Sequence, residues 1–347
     1  VNFRSIPELL TQCRRVIPVA VGDGRAALYV FPFKTGMFGK QAEPVATLDL
    51  AFPVVHGTNV EDGVLQGYLQ TLGLPLAGCD VCASALGMDK YAQKTLYRAA
   101  GLPVLNAVKF TAREFSLNQT DVITRIETNV GYPVIIKPLN LGSSVGVKFA
   151  ADRTALEDAI DFASEFSPVL LAEQAVANLR EINCSVLGDR DSARASECEE
   201  PLGTGEILSY EDKYISGAKD VSKTGDSAGS KGMASLKRLL PAPVTPEQRE
   251  LIQDYAVKAF HALGCAGVAR IDFLMDSMTG EIWVNEINTI PGSLSFYLWE
   301  ASGVKYPELL DELVSIALKR DRENKEHNYE IETGILANFT GGGKTKA

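Results

Sequence analysis

Polar and apolar side chains alternate along two short runs in the carboxy-terminal third of the chain, 268–273 and 285–288. This period of two predicts a pair of strands, and the residues between them, Ser277–Gly280, predict a hairpin turn. One face of the hairpin would carry Arg270, Asp272, Glu286 and Asn288. Two carboxylates and an amide suit Mg²⁺, and the arginine would add a positive charge for a phosphate or a carboxylate. Taken alone, the pattern fits an ordinary polar hairpin with a surface ion pair equally well.

A second pattern, from Tyr132 to Val147, is a buried strand, a Gly/Ser loop and another strand. Lys137 ends the first strand, and glycines in the Gly142–Gly146 loop permit a tight turn and close approach to a ligand. The N–H groups and hydroxyls of such a loop can bind phosphate oxygens. The loop is neither a Walker A motif nor G-x-G-x-x-G. A glycine hairpin with a chance lysine is the alternative, but together with the carboxylate hairpin the loop predicts nucleotide binding by a different fold.

Hydrophobic periodicity elsewhere predicts a chain of mixed α/β and α+β character. Further strands are predicted at 16–21, 27–31, 48–55, 74–79, 104–109, 132–137, 145–149, 168–173, 181–187 and 193–199. Helices are predicted at 62–72, 88–100, 111–129, 152–166, 245–263, 296–301 and 306–319. Residues 203–235 are rich in Gly, Ser, Lys and Asp, which predicts either a functional lid or a plain surface insertion. From Arg320 onward the pattern predicts a loosely ordered polar tail.

Composition and charge argue against several classes of function. The chain has 347 residues, enough for two or three domains, and its formal net charge of −10 argues against nucleic acid as a partner. No run approaches the ~18 apolar residues of a membrane helix. The six cysteines are scattered, and no second pair or regularly spaced histidines complete a zinc site. We therefore expect a cytoplasmic protein with neither a nucleic-acid nor a membrane partner.

The residues suited to chemistry form a series of short motifs in a fixed order. The motifs are His56-Gly57 with Glu61-Asp62-Gly63 and Gln66, Met88-Asp89-Lys90, Lys137-Pro138 with Gly142–Gly146, Glu173, Asp212-Lys213-Tyr214, Arg270-x-Asp272, and Asn285-Glu286-x-Asn288-Thr289 with Pro291-Gly292. From about Pro18 to Lys319 the chain resembles the D-alanine–D-alanine ligase family of the ATP-grasp superfamily. The His-Gly and Glu-Asp-Gly pair separates this family from other ATP-grasp enzymes.

The resemblance implies an ATP-grasp fold with an amino-terminal, partly parallel α/β domain. It implies a substrate domain at 1–87, a central subdomain at 88–176, a carboxy-terminal subdomain at 177–320 with the lid at 203–235, and a polar tail at 321–347. The family usually opens with a Gly-Gly-x-Ser-x-Glu segment, which does not occur here. We therefore expect the family's first strand to be missing from this chain.

The resemblance also implies which residues bind ATP. Lys90 and Lys137 would hold the phosphates, and the Ser143–Gly146 loop would close over them. Lys213 and Tyr214 would lie on the lid that seals the site. The residues facing the adenine would be Glu173, Gln174, Ala175 and Val176, with Glu181 at the ribose.

The reacting groups are implied in the same way. Arg270 and the Gly292 amide would stabilise the oxyanion, and Ser144 would help to order the first D-alanine. His56 and Glu61 would line the pocket of that substrate. For two Mg²⁺ ions, with Mn²⁺ as a substitute, the implied ligands are Asp272, Glu286 and Asn288.

The expected activity is that of an ATP-dependent carboxylate–amine ligase, which joins two D-alanines through an acyl phosphate for peptidoglycan synthesis. Tyr297 stands where the family usually has a serine that contacts the second substrate's carboxylate. The sequence therefore leaves D-alanine, D-serine and D-lactate as alternative second substrates. The Lys213-Tyr214 pair favours D-alanine. A nucleotide-binding protein without ligase activity is the alternative of a different class. The family usually forms dimers, so a homodimer is expected.

Overall fold

The computed structural model describes residues 6–32, 43–141, 145–202 and 238–326. Its helices are α1 (Ile6–Gln12), α2 (Val64–Thr71), α3 (Val81–Met88), α4 (Lys90–Ala99), α5 (Ala112–Leu117), α6 (Gln119–Asn129), α7 (Arg153–Ser164), α8 (Pro246–Ala262), α9 (Phe296–Ala301) and α10 (Tyr306–Glu326). Its strands are β1 (Val16–Gly22), β2 (Arg25–Val30), β3 (Ala46–Leu48), β4 (Ala107–Thr111), β5 (Val134–Pro138), β6 (Lys148–Ala150), β7 (Val169–Gln174), β8 (Leu179–Gly188), β9 (Ala193–Pro201), β10 (Arg238–Leu239), β11 (Gly267–Asp276) and β12 (Ile282–Asn288).

The carboxy-terminal sheet is antiparallel in the order β10-β9-β8-β11-β12. On one face Ile271 of β11 is buried in a cluster with Phe260 of α8. Helix α8 begins with a capping box between Thr245 and Gln248, which satisfies amides at its first turn. The other face is covered by Trp299 of α9 near the start of β11. Further along, that face is polar, and it forms one wall of the candidate site.

The central sheet is antiparallel in the order β4-β7-β5-β6. Ile126 of α6 and Ile160 of α7 pack on Ile136 of β5, so both helices cover the same face. Every residue of β5 is buried, as expected for a nearly continuous apolar strand. The opposite face carries Lys137 and Glu173, and it forms a second wall of the candidate site.

The amino-terminal part differs from the prediction. The hairpin of β1 and β2 is confirmed, with Gly22 paired to Arg25, and the sheet β1-β2-β3 is antiparallel. The predicted buried strand 48–55 is wrong, since β3 ends at Leu48 and Val54 and Val55 are 49% and 47% exposed. Within the described residues, the parallel pairing of 49–55 and 74–79 is the single bridge Ala51↔Leu76. A strand needs a paired neighbour as well as apolar residues, so composition alone misassigned this run.

Two helices also differ from their predicted bounds. The predicted helix 111–129 is two helices, because Asn118 ends α5 and its side chain caps α6 by accepting from the Asp121 amide. The predicted helix 88–100 begins at Lys90, since Asp89 is its N-cap, and the preceding helix α3 was missed. Asn and Asp side chains accept hydrogen bonds from nearby backbone amides in this way, so these residues are favoured at helix starts and disfavoured in helix interiors.

The last helix is longer than predicted. Helix α10 continues to Glu326, so residues 321–326 are helical and the predicted tail is wrong there. Lys319 Nζ lies 2.8 Å from Asp189 Oδ2, and Arg320 donates to the Gly78 carbonyl at 2.8 Å. These long-range contacts stabilise the end of a helix whose own sequence is polar. The predicted lid at 203–235 and residues 327–347 lie outside the described residues.

Among the helices that the structure describes, none is both long enough and apolar enough to span a membrane.

Candidate active site

The hairpin of β11 and β12 supplies one wall of the site. The predicted hairpin is confirmed, with Arg270 opposite Asn288 and Asp272 opposite Glu286. All four side chains therefore share one face of the sheet. A β-bulge follows directly, because Phe273 pairs with Val284 and Asn285 is the extra residue.

Arg270 and Asp272 form a two-pronged ion pair on this wall. The Nε–Oδ1 distance is 2.6 Å and the second guanidinium nitrogen lies 2.8 Å from Oδ2. Asn288 donates from Nδ2 to Asp272 Oδ2 at 3.0 Å. Burial raises the pKa of Asp272, and the Arg270 charge opposes this effect only in part. A carboxylate in this environment is stabilised further by any additional cation that reaches it.

The donor set on this wall suits a hard divalent cation. Asp272 and Glu286 offer carboxylate oxygens and Asn288 offers an amide oxygen, which are ligands that Mg²⁺ accepts. Among the described residues, His, Cys, Asp and Glu do not form any group of three or more suited to a metal. A cation here would therefore need Asn288 and oxygens from a substrate, as Mg²⁺ in phosphate-binding sites usually does.

Lysines line the opposite wall. Lys90 Nζ lies 3.7 Å from Glu286 Oε2 and donates to the Leu141 carbonyl at 2.6 Å, next to the glycine loop. Lys137 Nζ donates to Glu173 Oε2 at 2.6 Å, and Lys94 forms an ion pair with the other oxygen of Glu173. Burial alone would raise the pKa of Glu173, but Lys137 and Lys94 outweigh it and lower this pKa to about 2.

Sequence reasoning missed Lys94, which is 1% exposed. Its signal was its spacing, since Lys94 follows Lys90 by one helical turn and so lies on the same face of α4. Burial lowers the pKa of Lys94, and the Glu173 charge opposes that shift. Glu173 was predicted to face an adenine, and in the structure its carboxylate contacts these two lysines.

The residues after Glu173 lead to an apolar surface beside the carboxylate wall. Gln174 is exposed, whereas Ala175 and Val176 are 9% and 4% exposed. Val176 packs in a cluster with Leu105, Leu274, Leu179 and Trp283.

Leu274 lies two residues beyond Asp272 on the same face of β11, opposite Glu181. The charge of Glu181 contributes to the raised pKa of Asp272, so this carboxylate also lies near the site.

His56 and Glu61 contribute from the amino-terminal part. His56 Nδ1 lies 3.6 Å from Glu61 Oε1, and the Gly57 amide donates to Glu61 Oε2 at 2.7 Å. The contact with Glu61 raises the pKa of His56, although partial burial and the charge of Arg270 oppose the shift. The influence of Arg270 shows that this pair lies near the carboxylate hairpin.

The turn after β12 has an unusual backbone. Gly292 is followed by Ser293, Leu294 and Ser295 with φ of 53°, 54° and 50°, a left-handed region that side chains disfavour. Tyr297 follows, and its hydroxyl lies 3.0 Å from Glu199 Oε1. In the structure this hydroxyl therefore contacts the Glu199 carboxylate. In the sequence, Tyr297 stands where the family usually has a serine that contacts the second substrate's carboxylate.

Some predicted residues lie outside the described part of the chain. Ser143, Ser144, Lys213 and Tyr214 are among them. Gly146 is described, with a φ of +74°, and a Cβ added there would lie 2.8 Å from Pro138 Cγ. The left-handed backbone and this close approach both exclude a larger side chain. The end of the glycine loop is therefore tightly packed against β5.

The sheets, the lysine wall and the carboxylate hairpin define an ATP-grasp fold. Residues 96–315 match the model of the family described as D-ala D-ala ligase C-terminus. D-alanine–D-alanine ligases of Acetivibrio thermocellus and Heliobacterium modesticaldum are 40% and 38% identical to the chain, over 81% and 82% of its length and 71% and 73% of theirs. The chain belongs to the D-alanine–D-alanine ligase family.

Solved structures agree with this assignment. The D-alanine–D-alanine ligase of Coxiella burnetii superposes with a TM-score of 0.70 at 28% identity, covering 92% of this chain and 79% of that one. The VanG D-Ala:D-Ser ligase of Enterococcus faecalis superposes with a TM-score of 0.66 at 32% identity, covering 80% and 74%. The predicted ATP-grasp fold and family are thus confirmed.

Proposed function

We propose that the chain joins two D-alanines into D-alanyl-D-alanine, with ATP converted to ADP and phosphate, for peptidoglycan precursor synthesis. The observation that carries this proposal is the approach of Lys90 Nζ to Glu286 Oε2, 3.7 Å apart. A cation-binding carboxylate and a phosphate-binding lysine would then act on the same phosphate group. Family membership supplies the substrates, since the relatives are named for D-alanine ligation.

The chemistry explains why both walls are needed. A carboxylate is a poor electrophile, so an oxygen of the first D-alanine carboxylate attacks the γ-phosphorus of ATP and ADP leaves. The amine of the second D-alanine then attacks the acyl carbon, phosphate leaves, and the amine loses a proton. Phosphoryl transfer requires that negative charge be neutralised, which Lys90 and Lys137 would do from their side. Bound divalent cations would supply the same neutralisation from the carboxylate side.

The residues at the reacting groups and the cations take the following roles in this proposal. Arg270 and the Gly292 amide stabilise the oxyanion that forms when the amine attacks. His56 and Glu61 hold the first D-alanine, and Ser144 helps to order it. Asp272, Glu286 and Asn288 would hold two Mg²⁺ ions, for which Mn²⁺ can substitute.

The nucleotide is held between the two walls. Lys90, Lys137 and the Ser143–Gly146 loop bind its phosphates, and Glu181 binds the ribose. The adenine lies against the segment 173–176 and the apolar cluster that contains Val176 and Leu274, because that cluster adjoins Asp272 on the sheet. Lys213 and Tyr214 would act from the lid that the family resemblance implies at 203–235.

The wider setting follows from the same reaction. We propose a cytoplasmic location, since ATP is consumed, and a homodimer, as is usual in the family. The segment 1–87 serves as the substrate domain, and 88–176 and 177–320 serve as the two halves that enclose ATP.

The test is the formation of ADP on mixing the chain with ATP, Mg²⁺ and D-alanine, followed by chromatography of the dipeptide. We expect ADP and D-alanyl-D-alanine in equal amounts, and no ADP with L-alanine as the matched control. The contrary outcome has three parts: ATP binds, D-alanine does not alter that binding, and no D-amino acid leads to ADP formation. In that case the chain is a nucleotide-binding protein without ligase activity and the proposal is wrong.

A second candidate is ligation of D-alanine to D-serine. It is favoured by the similarity to the VanG D-Ala:D-Ser ligase and by Tyr297, where the family usually has a serine. Competition between equal concentrations of D-alanine and D-serine, with both dipeptides quantified, separates the two. A product that is mostly D-alanyl-D-serine would favour this candidate.

A further inference from the structure

Gln93 of α4 joins that helix to the strand that carries two of the proposed metal ligands. Its Oε1 accepts a hydrogen bond from the Ile287 amide at 3.1 Å, and its Nε2 donates to the Gly87 carbonyl at 2.5 Å. The side chain is 1% exposed, so water does not compete for either bond. Ile287 lies between Glu286 and Asn288. The buried side-chain amide of Gln93 therefore holds the backbone between the two proposed metal ligands, Glu286 and Asn288.

The backbone of β12 needs such a contact. Among the described strands β12 lies at the edge of its sheet, so alternate amides point away from β11 and have no neighbouring strand there to accept them. A buried amide without a hydrogen-bond partner destabilises the folded state, because it has lost its hydrogen bonds to water. The Val284 amide donates to the Pro103 carbonyl at 2.9 Å, and the Ile287 amide donates to Gln93. These two bonds give an acceptor to the outward-pointing amides of Val284 and Ile287, which lie on either side of Glu286.

The bulge makes the second bond more important. The ladder is interrupted beside Glu286, because Asp272 pairs with Glu286 but the next residue, Phe273, pairs with Val284. Bulges bend a strand and change the direction of its side chains. The position of Glu286 relative to Asp272 therefore depends on contacts from outside the ladder as well as on pairing.

The corner between α3 and α4 packs directly on this part of β12. A Cβ added at Gly87 would lie 2.7 Å from Thr289 Cγ2, so the glycine permits the close approach. Lys90 of the same corner reaches Glu286. The corner therefore contacts the end of β12 at Glu286 and the next residue after the strand, Thr289, and Gln93 provides its hydrogen bond to the strand backbone.

We propose that Gln93 is a positioning residue for the divalent-cation site. By holding the Ile287 peptide, it keeps the flanking side chains, Glu286 and Asn288, directed towards Asp272. This inference rests on the proposed function, which assigns those three residues as metal ligands. Gln93 itself touches neither metal nor substrate, and it acts through the backbone of β12.

The first experiment measures metal affinity without turnover. Mn²⁺ is titrated calorimetrically into the full chain with saturating ADP, for the wild type and for Gln93→Met, which keeps the length of the side chain and removes both bonds. Groups that orient metal ligands typically contribute 10–100-fold to affinity, so we expect a loss of about that size. An affinity equal to that of the wild type would overturn the inference.

Two further variants make the result specific. Gln253→Met is the matched control, because Gln253 Nε2 donates to the Ser196 carbonyl at 2.7 Å and so joins α8 to β9 by the same kind of bond. We expect it to leave Mn²⁺ affinity unchanged, and an equal loss in this variant would mean that Gln93 is merely structural. Glu286→Gln tests the ligand assignment itself. If Glu286→Gln leaves affinity unchanged, the assignment has failed and the inference fails with it, whereas an effect in Glu286→Gln without one in Gln93→Met overturns the inference alone.

Hydrogen exchange tests the bond even if Gln93→Met fails to fold. In the wild type we expect the Ile287 amide to be as well protected as the Val284 amide, although both point away from the sheet. In Gln93→Met we expect faster exchange at Ile287 and little change at Val284. Rapid exchange of the Ile287 amide in the wild type would overturn the inference without any variant.

Discussion

The Glu173 carboxylate accepts a hydrogen bond from Lys137 Nζ at 2.6 Å, between neighbouring strands of the central sheet and almost closed to solvent. Lys94 of α4 pairs with the other carboxylate oxygen. Glu173 is thus the shared counter-ion of two buried lysines. It links the central sheet to the helix that also carries Lys90 and Gln93.

Replacing this shared counter-ion should destabilise the fold. In Glu173→Gln the buried ammonium groups of Lys94 and Lys137 lose this carboxylate, and breaking a buried ion pair typically costs about 3–5 kcal/mol. Urea denaturation of wild type and variant measures the loss. Adding Lys94→Met to Glu173→Gln removes one unpaired charge, so the double variant should recover part of the stability. A double variant less stable than Glu173→Gln would contradict this explanation.

Glu286→Gln should nearly abolish ADP formation, by at least about 100-fold, because a neutral amide is a weaker ligand for a divalent cation than a carboxylate. The fold should stay intact, since Lys90 still donates to the Leu141 carbonyl. Steady-state ADP release and circular dichroism measure the two effects. Glu281→Gln is the control, because Glu281 is exposed near the turn of the same hairpin. A near-wild-type rate in Glu286→Gln would refute the site.

The His56 ring should titrate above its ordinary pKa of 6.5 because of Glu61. A raised pKa in the folded state means that the pair stabilises the protein below about pH 6.5, and that this contribution is lost as pH rises through the folded-state pKa. Proton NMR of the ring measures the pKa, and a His56→Asn variant assigns the signal. In Glu61→Gln the pKa should fall, and an unchanged value would show that Glu61 is not the cause.

Ser293 should tolerate glycine better than valine. Its φ of 53° is left-handed, a conformation that costs an ordinary side chain about 1–2 kcal/mol and that a β-branched side chain disfavours further. Thermal or urea unfolding should therefore show Ser293→Gly at least as stable as the wild type and Ser293→Val less stable by more than about 1 kcal/mol. Equal stability of the two variants would mean that the turn relaxes to another conformation.

Some features of this protein were determined by its sequence alone. The alternation around Arg270 and Asp272 predicted the hairpin and its polar face, because side chains of a strand point to opposite sides in turn. The ordered motifs predicted the ATP-grasp fold and the family, which the comparisons confirmed. The roles of individual residues stay predictions until the variants are measured.

Other features were decided only by the tertiary structure. The contacts of Lys94 with Glu173 and of Gln93 with Ile287 join residues far apart in sequence. Helical spacing can place Lys94 on the same face as Lys90, but no local pattern predicts which residue it contacts. Residues 49–55 were predicted to continue a buried strand, but within the described residues their pairing with 74–79 is the single bridge Ala51↔Leu76. Helix α10 extends past Lys319, where distant groups hold it. Local periodicity reports which side chains prefer burial, whereas the partners that bury or hold them are set by packing between elements distant in the chain.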